Sequence, residues 1–337
     1  MRAWTLSEPV GTAGLALTEL PDPSPGPRDV VVRTKAVSLN FRDHLLINGR
    51  YLRTIPPGTV PCSDMAGEVI SIGSDVTSVR VGARVTSTFA PLWQDGRYSL
   101  QAAQSALGAG TTPGMLADTV VLPEYGVIAA PTTLTDEEAS TLPCAALTAW
   151  HALFEEDVPR PDRTLLTQGS GGVSVFALQF AVHAGLRVIA TSSRDDRLER
   201  LRALGAAETI NYTTEEAWGE RARSLASGVG VDQVLDVGGQ STIEQSIKAV
   251  RFGGTITAIG SLSQNAQVQV TSLFMRSIRL QGIMVGSRAM FQRMNDVFES
   301  SAVRPVIDRV FPFDRAPDAF QHLSSQSHLG KVVIRIP

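Results

Sequence analysis

Cysteine is nearly missing from this chain. Cys62 and Cys144 are the only two in 337 residues, too few for a disulfide framework or a four-cysteine zinc site. An excess of one charge is missing as well. Thirty Lys+Arg stand against 33 Asp+Glu, a formal net charge of −3, which leaves no electrostatic footprint for nucleic acid or an anionic membrane. No apolar run approaches the roughly 20 residues of a membrane span, and the opening MRAWTLSEPVG lacks the apolar core of a signal peptide. Repeats and low-complexity tracts are absent too, apart from the turn Pro21-Asp22-Pro23-Ser24-Pro25-Gly26-Pro27. What is present is ordinary for a globular chain, 43% hydrophobic and 19% charged, and this excludes disordered, collagen-like and coiled-coil architectures. The expectation is a soluble, cytoplasmic protein of about two domains, at roughly 150 residues per domain.

Two textures divide the sequence. Up to about residue 125, short β-branched runs alternate with turns: Asp29–Val37, Ala66–Gly73 and Gly82–Ser87 read as strands, separated by Pro56-Pro57-Gly58 and Gly73-Ser74-Asp75. That pattern suggests a compact β-rich unit such as a partly closed barrel. From about residue 137 strands alternate with helices. Asp136-Glu137-Glu138 starts a helix; Arg163–Gln168, Leu186–Thr191, Val231–Val237 and Gly254–Gly260 are strands; Val173–Ala184 and Arg194–Leu204 are helices. This pattern implies right-handed βαβ units and a parallel sheet covered on both faces. After about residue 288 the texture is mixed again, with strands at Val306–Phe311 and Gly330–Ile336 around a helix near Ala316–Leu323. Pairing of the last strand with the β-rich unit would make that domain discontinuous, with the α/β domain inserted in it.

Gln168-Gly169-Ser170-Gly171-Gly172-Val173-Ser174 lies between a strand and a helix, the context a dinucleotide turn requires. Gly169 makes the turn, and Gly171 and Gly172 let the backbone approach a pyrophosphate at the positive end of a helix. Ser174 departs from the G-x-G-x-x-G fingerprint, and a plain tight turn is the bland alternative. An NAD site usually carries an acid at the tip of the second strand. Here that tip reads Thr191-Ser192-Ser193-Arg194. Hydroxyls and a guanidinium suit a 2′-phosphate, so NADPH is favoured over NADH; the alternative is that Arg194 is a solvated helix-start residue.

These residues carry a family resemblance. The turn Gly169–Ser174, the stretch Leu142-Pro143-Cys144-Ala145-Ala146-Leu147-Thr148-Ala149-Trp150 and the tail Gly330-Lys331-Val332-Val333 resemble the medium-chain dehydrogenase/reductase superfamily. Through Leu39-Asn40-Phe41-Arg42-Asp43 and Asp64-Met65-Ala66-Gly67-Glu68-Val69 the chain is most similar to its zinc-free, quinone oxidoreductase-like branch. The resemblance implies an α/β protein: a GroES-like catalytic domain (1–126 and 288–337) and a Rossmann domain for NADP(H) (127–287). In zinc-dependent members a Cys, a His and a second Cys hold the metal. Those positions are Asn40, Ser63 and Cys144 here, and Phe89 to Val121 contains no cysteine for a structural zinc lobe. No zinc is expected, since one thiol with Asn and Ser makes a poor ligand set, and Cys144 is expected to be an ordinary buried residue.

The resemblance also distributes the site residues. Asn40 and Tyr51 are the catalytic candidates, although Tyr51 could equally be a surface anchor, and Arg42 and Asp43 read as a structural pair. Asn40, Thr148, Val285, Gly286 and Ser287 would lie toward the nicotinamide, and Gly169, Gly171, Gly172 and Val173 at the pyrophosphate. Ser192, Ser193, Arg194 and Tyr212 would surround the 2′-phosphate. Val237, Gly238 and Gly260 complete the cofactor set, with Lys331 near the phosphates. His151 and His183 are expected to be packing residues.

The activity implied is hydride transfer from NADPH to a quinone or an α,β-unsaturated carbonyl compound, with hydrogen bonds in place of zinc. Two alternatives stand beside it: an enoyl reductase for a carrier- or coenzyme A-linked intermediate, whose basic approach would have to be Arg276–Arg279, and a redox-silent NADPH-binding sensor or structural protein. The apolar strand Leu280–Val285 suggests a sheet edge and a homodimer. The segment from Pro91 to Gly114 reads either as a mobile flap, with Leu92 and Trp93 walling an apolar substrate pocket, or as a packed surface excursion.

Overall fold

The computed structural model describes residues 1–7, 10–51, 55–109, 112–156, 160–260, 268 and 270–337. Two short strands, β1 (Arg2–Leu6) and β2 (Leu15–Glu19), pair antiparallel as a ribbon. The larger sheet is organised around β3 (Asp29–Leu39), whose Val30, Val31 and Val32 are buried because the strand has neighbours on both edges. β4 (Asp64–Ile72) runs antiparallel along one edge, from Val30 opposite Ile72 to Ser38 opposite Asp64, and β5 (Arg84–Ser87) follows β4. β6 (Thr119–Pro123) takes the other edge of β3 along Asp29–Arg33, and β7 (Val127–Ala129) pairs with β5.

Where β3 ends, α1 (Phe41–Ile47) begins, and the junction is locally determined. The Asn40 N–H donates to Asp43 Oδ2 at 2.8 Å, so an acid in the first turn caps the backbone that leaves the strand. Further along lie α2 (Leu100–Gln104) and α3 (Asp136–Ala139); Thr135 Oγ1 accepts from the Glu138 N–H, and the Thr135 N–H donates to Glu138 Oε2. α4 (Leu147–Trp150) is flanked by two wider helical turns, Leu142–Ala146 and His151–Glu155.

The second sheet is parallel throughout. Its strands and helices alternate: β8 (Thr164–Gln168), α5 (Gly172–His183), β9 (Arg187–Ser192), α6 (Asp195–Ala203), β10 (Glu208–Asn211), α7 (Trp218–Leu225), β11 (Val231–Asp236), α8 (Ile243–Ala249), β12 (Val250–Ala258), α9 (Val270–Phe274) and β13 (Arg279–Gly282). The spatial order is β10-β9-β8-β11-β12-β13. Numbered from β8 as 1, this reads 3-2-1-4-5-6, the doubly wound order whose reversal point lies between the first and fourth strands. Leu166, Ile189, Val234 and Ile256 fill the middle of its core.

The chain then returns to the first sheet. α10 (Arg288–Ser300) leads to β14 (Ile307–Pro312), α11 (Ala316–Ser324) and β15 (Lys331–Arg335). β15 pairs antiparallel with the end of β3, Val332 opposite Leu39, and parallel with β14. Two compact units result, 1–147 with 285–337 and 148–284. The stretch 127–147 and Val285, Gly286 and Ser287, which the sequence reading assigns to the Rossmann domain, thus lie in the first unit. Among the described residues no helix is long and apolar enough to cross a membrane.

Candidate active site and dinucleotide cradle

In the first unit, ionisable groups from three distant parts of the chain meet in one interior. Asn40, Arg42 and Asp43 come from the β3–α1 junction, Ser63 and Asp64 from the entry to β4, and Lys331 from the start of β15. Asp43, Ser63 and Asp64 are fully buried, and Lys331 is 3% exposed. The Lys331 ammonium donates to Leu39 O at 2.7 Å and to Asn40 Oδ1 at 2.5 Å. Ser63 Oγ donates to Asp64 Oδ1 at 2.6 Å, and the Cys144 N–H donates to Asp64 Oδ2 at 3.2 Å. Two carboxylates therefore face two cations, which is how buried charge survives. Burial pushes the Asp43 carboxyl up to about 6 against the pull of Arg42. Burial also raises Asp64, with the Lys331 charge opposing the shift.

Arg42 Nε and Nη1 and Asp43 Oδ1 have no hydrogen-bond partner among the described residues, and Asn40 Nδ2 makes no close one, although the Asn40 amide draws the Asp64 carboxyl down. Their concentration in four consecutive residues is what a site built for an external oxygen looks like, since unpaired buried groups are rare elsewhere. The Arg42 guanidinium lies 4.6 Å from the Phe89 ring centroid and 5.7 Å from that of Tyr51, and Nη2 donates to Leu107 O at 2.6 Å. Its approach to Asp43 Oδ1 is 3.8 Å, so the pairing expected for these two is loose. Tyr51 is 38% exposed.

Cys62 was not singled out from sequence, yet it shapes this interior. It is buried with φ 73°, a left-handed conformation that costs a residue with a Cβ. Gly108 presses against it so closely that a Cβ there would stand 2.4 Å from Cys62 O. The strained turn swings Ser63 and Asp64 inward, and Ser87 Oγ holds it by donating to Ser63 O at 2.7 Å.

These donors do not fit a zinc ion. At the ligand positions, Asn40 offers its oxygen to an ammonium, and the Ser63 hydroxyl is spent on Asp64. Cys144 is partly exposed rather than fully buried as expected, and desolvation pushes its thiol up to about 12, far from a thiolate. Among the described residues no three His, Cys, Asp or Glu side chains gather in a way that could hold a metal.

The segment from Pro91 to Gly114 is tied down over its described part; Gly110 and Thr111 lie outside the described residues. Trp93 is 3% exposed, its ring centroid is 4.7 Å from that of Tyr98, and its Nε1 donates to Gly96 O at 2.9 Å. The Arg288 and Ala289 N–H groups donate to Trp93 O and Gln94 O. Trp93 thus packs within the segment, in keeping with the second of the two readings, while Leu92 is exposed.

In the second unit the glycine turn follows β8. Gly169 has φ 74°, and its N–H donates to Thr191 O at 2.8 Å. Ser174, the departure from the fingerprint, donates from Oγ to Gln168 O at 2.7 Å and closes the turn. A Cβ on Gly169 or Gly171 would meet nothing within 4 Å, so open space lies over the N–H groups that begin α5. Asp236, at the end of β11, was also missed from sequence. Its carboxylate accepts from Gly239 N at 2.8 Å, Thr242 Oγ1 at 2.6 Å and Ser246 Oγ at 2.6 Å, fixing the loop after Val237 and Gly238. Gly260 packs against Val237, where a Cβ would stand 2.5 Å from the carbonyl oxygen.

At the tip of β9, Ser192 Oγ is buried without a hydrogen-bond partner among the described residues, and Tyr212 N donates to Ser192 O at 3.1 Å. Arg194 precedes α6 and forks onto Asp196 at 2.9 and 2.8 Å. Thr148 is buried in this unit. Ser287, in the first unit, caps α10 by accepting from Met290 N at 3.2 Å, and a Cβ on Gly286 would stand 2.7 Å from Leu147 Cγ. Lys331 is bonded to Asn40 in the first unit. His151 is held between Met284 O at 2.8 Å and Glu156 at 3.0 Å, as a packing histidine would be. The open turn, the helix start and the orphan hydroxyl of Ser192 fit a dinucleotide.

A doubly wound sheet with a glycine turn, joined in sequence to an antiparallel unit with a charged interior, defines a dinucleotide-dependent oxidoreductase. The chain belongs to the medium-chain dehydrogenase/reductase superfamily, whose members bind a nicotinamide cofactor. Residues 26–132 match the alcohol dehydrogenase GroES-like domain family and 172–300 the zinc-binding dehydrogenase family. A zinc-type alcohol dehydrogenase-like protein of Schizosaccharomyces pombe is 41% identical over 92% of this chain and 91% of its own. A candidate alcohol dehydrogenase from Sinorhizobium meliloti 1021 superposes with TM-score 0.92 at 42% identity, covering 99% of this chain and 98% of that one. The quinone oxidoreductase of Coxiella burnetii superposes with TM-score 0.81 at 26% identity, covering 100% and 99%.

Proposed function

We propose that this protein reduces quinones or α,β-unsaturated carbonyl compounds without zinc, with NADPH as reductant. The observation that carries the reading is the Asn40 amide: it is buried between the Lys331 ammonium and the Asp64 carboxyl, its Nδ2 makes no close hydrogen bond, and it stands at a metal-ligand position of zinc-dependent relatives. When bound, the nicotinamide supplies a hydride to the β-carbon of the substrate. The π pair moves to the carbonyl oxygen, and the α-carbon then takes a proton. Asn40 Nδ2 receives that oxygen as charge gathers on it, which is where a fixed donor lowers the barrier most. Tyr51, partly exposed next to Arg42, delivers the proton, and Leu92 offers apolar surface to the substrate.

For the cofactor, the turn Gly169–Val173 takes the pyrophosphate, while Ser192, Ser193, Arg194 and Tyr212 take the 2′-phosphate. The Arg194–Asp196 pair lies at the surface, where such pairs are weak, so a phosphate competes for the guanidinium. The basic approach that a carrier-linked substrate would need finds no support at Arg276, which is turned onto Ile247 O and Val250 O. Support for a homodimer comes from β13, an edge strand with Leu280 exposed and with Phe252, Phe274 and Met275 also exposed in that unit.

The test is a panel of enones, alkenals and quinones followed by NADPH absorbance, before and after dialysis against chelator. Turnover of some member that survives chelation is expected. Intact NADPH binding with no turnover across the panel would sink the reading and favour a redox-silent binding protein. Light scattering at micromolar concentration addresses the dimer, and a clean monomer would refute it.

A further inference from the structure

We propose that Lys331 is a positioning residue: its bond to Asn40 Oδ1 decides which way the amide turns and so presents Nδ2 to the substrate oxygen. The proposal rests on the reading above that Asn40 receives that oxygen. A side-chain amide has an accepting end and a donating end of nearly equal size, and only its partners decide which end points where. An ammonium has three donors and no acceptor. With Lys331 Nζ 2.5 Å from one end of the amide, that end must be the oxygen; the flipped amide would set N–H against N–H. The NH2 group is then turned to the other side, toward the Asp64 carboxyl, with which it makes no close hydrogen bond.

Lys331 is itself well fixed. It begins β15, the strand paired with the end of β3, and its second bond goes to Leu39 O at 2.7 Å. Asp43 and Asp64, the two buried carboxylates of the cluster, supply its counter-charge. A purely structural role, tying β15 to β3, would need the bond to Leu39 but would not need the amide to face one way. An unpaired buried donor destabilises the fold, and presentation of that donor to a ligand gives it a use.

The experiment compares wild type, Lys331→Met and Lys331→Arg by steady-state kinetics and by 15N–1H spectra of the side-chain amides, with the Asn40 signal assigned by its loss in Asn40→Ala. In Lys331→Met, kcat should fall between tenfold and a hundredfold while KM for substrate and for NADPH stays within about twofold, less than the loss of a whole oxyanion donor. Its Asn40 amide signal should split or broaden as both orientations become populated. Lys331→Arg, which keeps a cationic donor, should recover most of the kcat and the single signal. An unchanged kcat with an unmoved Asn40 signal in folded Lys331→Met overturns the proposal. Should that variant not fold, a wild-type Asn40 amide found in two orientations overturns it equally. The spectral arm needs no turnover, so a wild type inactive on the whole panel counts against the proposed function and leaves the test of Lys331 standing.

Discussion

Around Asn40, charge is held inside: Arg42, Asp43, Asp64 and Lys331 share an interior and neutralise one another. At the dinucleotide cradle, charge stays outside. Arg194 and Asp196 are more than half exposed, and the polar groups nearer the turn are backbone N–H groups and the buried hydroxyl of Ser192. The first region owes its geometry to mutual compensation, so no member can be removed quietly. The second owes it to helix geometry and to a glycine turn with space above it, so its charged side chains can change without disturbing the fold. One region is expensive to alter and the other is cheap.

The largest effect that could break this contrast comes from the interior. Asp64→Ala removes a fully buried carboxylate that serves Ser63 and Cys144, and should destabilise the protein by about 4 kcal/mol. Urea denaturation measures it, and a loss near zero would mean the interior is wet and forgiving. Trp93→Ala, in the segment packed against the start of α10 in the same unit, should cost about 3 kcal/mol. A melting temperature unchanged in that variant, with KM raised for bulky substrates, would restore the mobile flap.

The next effect is one of pH. Asp43 titrates at about 6 in the folded protein, above the ordinary aspartate value of about 3.9. Between those values the native state holds a proton that the unfolded chain has released, so this contribution to stability is full at low pH and declines as pH rises toward 6. Asp43→Asn keeps an oxygen for the Asn40 N–H and should remove that part of the slope. Denaturation midpoints followed from pH 4 to pH 7, as about the range concerned, would show the difference, and identical slopes in both proteins would refute it. The smallest structural effect belongs to the cradle. Arg194→Ala should leave the melting temperature where it is and weaken NADPH about tenfold relative to NADH. Titration calorimetry with both cofactors decides; an unchanged ratio would remove the guanidinium from cofactor choice.

Local signals in the sequence carried the elements well. The run from Asp29 to Val37 became part of β3, the glycine turn fell between β8 and α5, and Gly330–Ile336 contained β15. The short strands β1, β2 and β10 escaped notice because they lack a long alternating pattern. The candidate site was legible only in pieces. Asn40 stood out by its motif position, but the bond that orients it comes from a lysine 291 residues away, and no local pattern announces such a partner. Cys62 was hidden for a different reason: its left-handed backbone is imposed by the approach of Gly108, not by its own preference. Trp93 left two readings open because an aromatic residue between glycines and prolines reads the same whether it is packed or loose.

The bridge from β15 to Asn40 also has a consequence for the newborn chain. Everything the inner cluster requires except its ammonium has been synthesised once residue 144 is made, while Lys331 is added only after the whole stretch 148–284, with its own parallel sheet and its own core. Domains generally mature as units in order of synthesis, but here the earlier unit must wait for the later one. Until the final strand docks, Asp43 and Asp64 have lost half of their counter-charge and β3 lacks one of its neighbours. A chain cut short before Lys331 would therefore hold the whole of 148–284 and still lack the ammonium that bonds Asn40.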